Sequence, residues 1–185
     1  MKHFFINFLT VLLFCACSGD DEADRRLVFM GDSMVANWDV EACFPNRITE
    51  NMGIDGIGIA QLGSTPMEGQ TVVALIGTND LHGGMTEAQL SDYSEQYINT
   101  VAGLGGSPTL VISVLPTNDK AKNETIVKFN QKVKLLMSNK TEIIYIDCYE
   151  AFCKDGVLRE ELSRDGLHLN DYGYMILSDR VKEKL

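Results

Sequence analysis

The fold is decided by residues 26–34, which read RLVFMGDSM. The first six, Arg26–Gly31, form a short apolar run that ends in glycine, as expected of a strand buried in a core. The run is continuously apolar rather than alternating, which is typical of parallel strands covered on both faces. Three similar runs follow, and Ile48–Gly53 is a weaker strand candidate. The three are TVVALIG at Thr71–Gly77, TLVISVLP at Thr109–Pro116 and EIIYID at Glu142–Asp147.

The segments between these runs carry apolar residues at helical spacing. Thr86 and Gln89 form a capping box that predicts a helix start, and Asn170 or Asp171 is the predicted cap of a later helix. The sequence therefore predicts one three-layer α/β/α domain with a five-stranded parallel sheet. The three predicted core stripes are Leu90, Tyr93, Tyr97, Val101 and Leu104; Ile126, Phe129, Val133 and Leu136; and Tyr174, Leu177 and Val181.

Composition excludes some partners. The chain has 185 residues, is 45% hydrophobic and carries a formal net charge of −10, without a run of Lys or Arg. A nucleic-acid partner is not expected, because phosphate binding needs a clustered basic face. Direct docking on anionic lipid headgroups is disfavoured for the same reason.

The N-terminus has the pattern of a bacterial lipoprotein signal. Lys2 precedes an apolar run, Phe4–Phe14, that is too short to cross a bilayer as a helix. Ala16 is the small residue before Cys17, the predicted site of lipidation. We expect a signal peptide at 1–16, a lipid-anchored acidic tether at 17–25 and one folded domain at 26–185. The chain would then be an envelope protein facing the periplasm or the cell surface, held to a membrane by lipid only. The alternative is an uncleaved membrane anchor.

Three cysteines remain in the expected domain: Cys43, Cys148 and Cys153. They allow one disulfide at most. A Cys148–Cys153 bridge is possible in an oxidising compartment, whereas burial as free thiols is the commoner fate of such residues. Their spacing is not that of a zinc site, and only two histidines follow the tether. No metal or other cofactor is expected.

Four short motifs occur in order along the domain. They are GDSM at Gly31–Met34, NMGIDG at Asn51–Gly56, GTND at Gly77–Asp80 and DGLH at Asp165–His168. The first three each follow a predicted strand. Because ligands bind beyond the carboxyl ends of strands in such sheets, we expect all four motifs to converge on one site.

The residue types in these motifs are those of a serine esterase. Ser33 is a weak nucleophile that needs a base. Asp165 lies three residues before His168 and could fix the tautomer of that imidazole, whereas His82 has no such partner in its own loop. Candidate oxyanion donors are the amides of Ser33 and Gly53 and the side chain of Asn79. Asp32 is interpreted as structural.

The chain resembles the GDSL esterases, or SGNH hydrolases, from about Arg26 to its C-terminus. Ser33 lies in the first block of that family, Gly53 in the second, Asn79 in the third, and Asp165 with His168 in the last. The resemblance implies a flavodoxin-like fold and ester hydrolysis through an acyl-serine intermediate without a metal. Met34 replaces the usual Leu. Gly53 is preferred as the glycine of the second block because Asn51 and Ile54 around it match the family pattern of that block. The competing glycines are Gly56, Gly58 and Gly63.

Little chain remains for a lid or a deep acyl tunnel. We therefore expect a serine esterase that hydrolyses short acyl esters, with O-acetyl groups on carbohydrates as the favoured substrate. The alternatives are a lysophospholipase or thioesterase and a non-catalytic glycan-binding surface lipoprotein. A metal-dependent phosphoesterase is a further rival, in which Asp32, Asn79, Asp80, Asp165 and His168 would be ligands.

Overall fold

The computed structural model describes residues 26–63 and 66–185. The predicted signal peptide, the tether and Cys17 lie outside these residues. Five parallel strands form one sheet in the order β2-β1-β3-β4-β5. The predicted α/β fold with a five-stranded parallel sheet is thus confirmed. The strands are β1 (Leu27–Gly31), β2 (Thr49–Gly53), β3 (Thr71–Leu75), β4 (Thr109–Ile112) and β5 (Ile143–Ile146).

Helices cover both faces of this sheet. One hydrophobic cluster contains Phe29, Trp38 and Tyr174, and the other contains Val28, Tyr97 and Phe129. Neighbouring residues of β1 thus belong to different clusters, as expected of a strand buried on both faces. The helices are α1 (Ser33–Ala36), α2 (Val40–Cys43), α3 (Glu87–Ala102), α4 (Lys120–Met137), α5 (Tyr149–Phe152) and α6 (Asp171–Lys182). A two-stranded ribbon, β6 (Cys153–Lys154) and β7 (Val157–Leu158), follows α5.

Three strands end earlier than predicted. β3 ends at Leu75 rather than Gly77, β4 ends at Ile112 rather than Pro116, and β5 ends at Ile146 rather than Asp147. The chain after β4 stays buried, but the side chain of Asn130 on α4 accepts from the Val114 N–H and donates to the Val114 carbonyl. The Asn130 amide thus satisfies backbone groups that a neighbouring strand would otherwise bind.

The helix patterns are confirmed with one exception. Thr86 and Gln89 form the capping box of α3, and Asn170 rather than Asp171 caps α6. On α4, however, Leu136 is 42% exposed and Met137 is buried. The buried residues on this face of α4 are Asn130, Val133 and Met137, which are spaced as expected for one face of a helix. A pattern of apolar residues does not include the polar Asn130. The prediction that Leu136 belongs to the core was therefore wrong.

Cys43, Cys148 and Cys153 are all free thiols. The Cys148–Cys153 bridge is thus absent, and the alternative of a buried free thiol holds for Cys148, whereas Cys43 and Cys153 are half-buried. Burial of Cys148 raises the pKa of its thiol to about 12, so this cysteine is an unreactive part of the core. Within the described part of the chain, no helix is long and apolar enough to cross a bilayer.

Candidate active site

Ser33 is the first residue of α1, directly after the carboxyl end of β1. The Asp32 side chain caps this short helix by accepting from the Met34 N–H at 2.9 Å. The Ser33 N–H lies in the first turn, where amides have no acceptor within the helix. The Tyr174 hydroxyl donates to the Met34 carbonyl at 2.9 Å and so ties α6 to α1. Ser33 is therefore held at the sheet edge from two sides.

His168 connects Ser33 with Asp165. Its Nε2 lies 3.0 Å from the Ser33 Oγ, and its Nδ1 lies 2.7 Å from Asp165 Oδ2. A neutral imidazole that donates from Nδ1 to the carboxylate leaves the Nε2 lone pair for the Ser33 hydroxyl. The hydrogen bond with the His168 ring, with the N–H groups of His168 and Leu167, lowers the pKa of Asp165 to about 2. Asp165 is consequently ionised at neutral pH.

A tight loop fixes Asp165 and His168 relative to each other. The Ser163 hydroxyl accepts from the Gly166 N–H at 2.7 Å and donates to the His168 carbonyl at 3.0 Å. Gly166 has φ +86°, and a Cβ there would clash with the Asn118 side chain. Neither Ser163 nor Asn118 was expected at the site from the sequence, although a serine two residues before an aspartate is a common turn signal.

The GTND motif holds the loop that follows β2. Asn79 lines the site and donates from its side-chain amide to the Ile57 carbonyl at 2.8 Å. Both carboxylate oxygens of Asp80 accept from the Ile59 N–H. A Cβ on Gly58 would clash with the Asp80 carboxylate, so a larger residue there would displace this carboxylate from the Ile59 N–H. Asp80 is thus a positioning residue for this loop, a function that its sequence context did not reveal.

The structure does not bring Gly53 to the site. Its N–H donates to the Asn51 side chain at 2.9 Å, and a Cβ there would clash with the backbone of Ala36 on α1. Gly53 therefore allows close packing of β2 against α1. Gly56, three residues later, lines the same cavity as Ser33 and has φ +74° with open space around it. The geometry favours Gly56 over Gly53 as a backbone donor.

Asp32 lies buried behind Ser33. It is 1% exposed, and its Oδ2 has no hydrogen-bond partner within the described residues. Burial, reinforced by the nearby charge of Asp80, raises the pKa of Asp32 to about 6 against the opposing hydrogen bond from Met34. Asp32 is not part of the cavity lining, which agrees with a structural function as helix cap.

An open cavity of about 460 Å³ surrounds Ser33 and His168. His82 lies outside it, exposed, with its Nδ1 near the Gly83 carbonyl. Across residues 26–63 and 66–185, no three His, Cys, Asp or Glu side chains are grouped to hold a metal ion. The cavity is lined by Ser33, Asn37, Asp55, Gly56, Asn79, Arg164, Asp165, Leu167 and His168.

Comparison with known families agrees with this geometry. Residues 29–176 match the GDSL-like Lipase/Acylhydrolase family. The chain therefore belongs to that family, whose members act on acyl esters, and it is an esterase. No curated protein sequence matches the chain.

Several solved structures share the fold. A protein of Streptococcus pneumonia, proposed to be a platelet activating factor, is 24% identical, with TM-score 0.68 over 90% of this chain and 86% of that chain. A GDSL-like lipase from Bacteroides thetaiotaomicron is 20% identical, with TM-score 0.64 over 86% and 87%. A variant of an acetyl-xylooligosaccharide esterase from Geobacillus Stearmophilus is 16% identical, with TM-score 0.65 over 86% and 93%.

Proposed function

We propose that the chain hydrolyses short-chain acyl esters, with O-acetyl groups on carbohydrates as its substrates. The observation that carries this proposal is the hydrogen-bonded series from Asp165 through His168 to Ser33, with the Ser33 Oγ 3.0 Å from His168 Nε2. A serine in that position is activated by a base whose orientation a third group fixes.

The proposed reaction has two halves. His168 takes the proton of Ser33 as the Oγ attacks the ester carbonyl, and then gives that proton to the departing alcohol, which leaves an acyl-serine. In the second half His168 takes a proton from water as the water oxygen attacks the acyl carbonyl, and it then gives that proton to the Ser33 Oγ as the bond between Oγ and the acyl carbon breaks, which releases the carboxylic acid and restores Ser33. Asp165 stays ionised and stabilises the imidazolium that forms in each half.

The oxyanion formed in each half needs donors that are already in place. We assign this function to the Ser33 N–H, the Gly56 N–H and the Asn79 side-chain amide, with Gly56 in place of Gly53. All three residues line the cavity. The Ile57 carbonyl occupies one N–H of Asn79, and the second remains for the substrate. One such donor is worth roughly 3 to 4 kcal/mol in the transition state.

A short acyl group fits the open cavity. Six of the nine residues that line the cavity are exposed, and Leu167 has the only apolar side chain among the nine. A long acyl chain gains about 0.8 kcal/mol for each buried CH₂, which this lining does not offer. The likeness to an acetyl-xylooligosaccharide esterase supports acetyl esters of saccharides as the substrate class.

We also propose that Cys17 is lipidated after removal of residues 1–16. Arg26 precedes the amino end of β1, whereas Ser33 follows its carboxyl end. A tether of nine residues, 17–25, can span only about 30 Å when extended. The proposed anchor would thus join the domain at the end of β1 opposite to Ser33.

The test is hydrolysis of p-nitrophenyl esters from acetate to decanoate, with and without EDTA. We expect kcat/KM to be highest for acetate and to be insensitive to EDTA. Rates that rise steadily toward decanoate would support a lysophospholipase or thioesterase instead, and loss of activity with EDTA would support a metal-dependent enzyme. Incorporation of an alkynyl fatty acid that disappears in Cys17→Ser tests the anchor separately.

A further inference from the structure

Two charged side chains line the cavity without a function in the proposed acyl transfer. Asp55 is exposed there, and its carboxylate makes no hydrogen bond or ion pair with any described residue. The guanidinium of Arg164 has one charged neighbour in the described chain, Asp171, at a distance of 4.0 Å. Asp171 itself is fully exposed. Both side chains are therefore free to bind a ligand beside Ser33.

The backbone holds both residues in fixed relation to the reacting atoms. The Arg164 N–H donates to the His168 carbonyl at 3.0 Å, within the same tight loop that carries Asp165. Asp55 directly precedes Gly56, in the loop that Asn79 holds through the Ile57 carbonyl. The two charged groups thus start from segments whose positions the catalytic geometry already requires.

Asn37 adds a third polar group to this lining. Its side-chain nitrogen donates to the Ser33 carbonyl at 2.8 Å, which leaves the amide oxygen as an acceptor. The cavity therefore presents the acceptors of Asp55 and Asn37 and the donors of Arg164. A sugar hydroxyl both donates and accepts a hydrogen bond, so neighbouring hydroxyls can bind such a set at once. Hydrogen bonds to the two charged groups are the stronger ones.

Other alcohols fit this lining less well. An anionic alcohol could pair with Arg164 but would also meet the carboxylates of Asp55 and Asp165 in the same lining, on a chain with a formal net charge of −10. A lipid would remove water from Asp55 and Arg164 without replacing their hydrogen bonds, which is costly. A neutral alcohol with several hydroxyls meets neither difficulty.

We propose that Asp55 and Arg164 bind the hydroxyl groups of a neutral saccharide that forms the alcohol part of the ester. This inference rests on the proposed esterase function and names the residues that select its substrate. Both act as specificity residues on the leaving alcohol and its neighbouring hydroxyls, whereas the acetyl group lies against the oxyanion donors.

The test compares two esters in the same variants. The substrates are a monoacetylated methyl xyloside and p-nitrophenyl acetate, and the variants are Asp55→Ala and Arg164→Gln. Asp92→Ala and Arg180→Gln, on the exposed faces of α3 and α6, are matched controls. We expect the ratio of kcat/KM, xyloside ester over aryl ester, to fall about 10-fold in each cavity variant, mainly through KM. The controls should keep the wild-type ratio.

A second measurement uses no sugar ester. Free methyl xyloside should inhibit hydrolysis of p-nitrophenyl acetate by the wild type competitively, and its inhibition constant should rise in Asp55→Ala and Arg164→Gln. If both variants keep the wild-type ratio of kcat/KM and the wild-type inhibition constant, the proposed saccharide site is wrong. The proposed esterase function would not be affected by that result. Preference for an acetylated uronic acid over its neutral methyl ester would also overturn the proposed saccharide site. A wild type that hydrolyses neither ester would overturn the proposed function itself.

Discussion

The Ser33 Oγ lies 3.0 Å from His168 Nε2, although 135 residues separate the two in sequence. The contact depends on how α6 packs against the sheet. Tyr174 of α6 donates its hydroxyl to the Met34 carbonyl and stacks on Trp38, whose indole N–H donates to Ser178 of α6. These contacts join the segment that carries Ser33 to the helix that begins just after His168.

Tyr174→Phe tests this connection. The variant keeps the ring on Trp38 but leaves the buried Met34 carbonyl without its donor. We expect the free energy of unfolding to fall by about 1 to 2 kcal/mol and kcat to fall severalfold, because Ser33 and His168 are held less firmly. Urea unfolding and kinetics with p-nitrophenyl acetate measure the two effects. Wild-type values for both would contradict this account of α6.

Asp165→Asn should inactivate the enzyme without unfolding it. An asparagine cannot stabilise the imidazolium of His168 and favours the wrong tautomer, so we expect kcat to fall roughly 10² to 10⁴-fold. Because the pKa of Asp165 is about 2, the carboxylate should stay ionised in the wild type down to about pH 3. A variant within threefold of wild-type kcat would show that Asp165 does not orient the base.

Asp32→Asn should change how stability depends on pH. The folded-state pKa of Asp32 is about 6, above its ordinary value of 3.8, so the folded state binds the proton more tightly than the unfolded state. The wild type should therefore lose stability as pH rises from about 4 to above 6. The difference between the folded and unfolded pKa values corresponds to a loss on the order of 2 to 3 kcal/mol in the free energy of unfolding.

The measurement is urea unfolding of the wild type and Asp32→Asn at pH 4 and pH 8. From pH 4 to pH 8, we expect the free energy of unfolding of Asp32→Asn to rise relative to that of the wild type, whatever the stability of the variant at pH 4. Asparagine can still accept from the Met34 N–H as a helix cap. A difference between variant and wild type that is the same at both pH values would show that Asp32 titrates normally.

Gly53→Ala should destabilise the fold rather than remove an oxyanion donor. The added methyl group would clash with the backbone of Ala36, which cannot yield as a flexible side chain could. We expect a loss of about 1 to 3 kcal/mol in the free energy of unfolding. A lower kcat should accompany it, because α1 carries Ser33. A fully stable Gly53→Ala variant would contradict the packing function assigned here.

The sequence predicted the sheet and most of the site because those signals are local. Buried parallel strands are continuous apolar runs, and Asp165 and His168 share one loop of four residues. Only two histidines follow the tether, so the choice of base was narrow. The predicted convergence of Ser33, Asp165 and His168 agrees with their observed distances.

The remaining features depend on packing between distant segments. Four glycines occur between positions 53 and 63. Only the packing of α1 against β2 shows that Gly53 has a structural function, whereas Gly56 lines the cavity. Asn130 became a core residue because it binds the backbone of Val114 across the fold. In the sequence, Asp55 and Arg164 do not differ from other charged surface residues. The structure shows that both line the same cavity.

The most direct test of the central claim is hydrolysis of p-nitrophenyl acetate by Ser33→Ala. Ser138→Ala, exposed at the end of α4, is a matched control. We predict turnover by the wild type and by the control, and a fall of at least about 10³-fold in kcat for Ser33→Ala. Retention of more than a tenth of the wild-type rate by a folded Ser33→Ala variant would contradict Ser33 as the nucleophile.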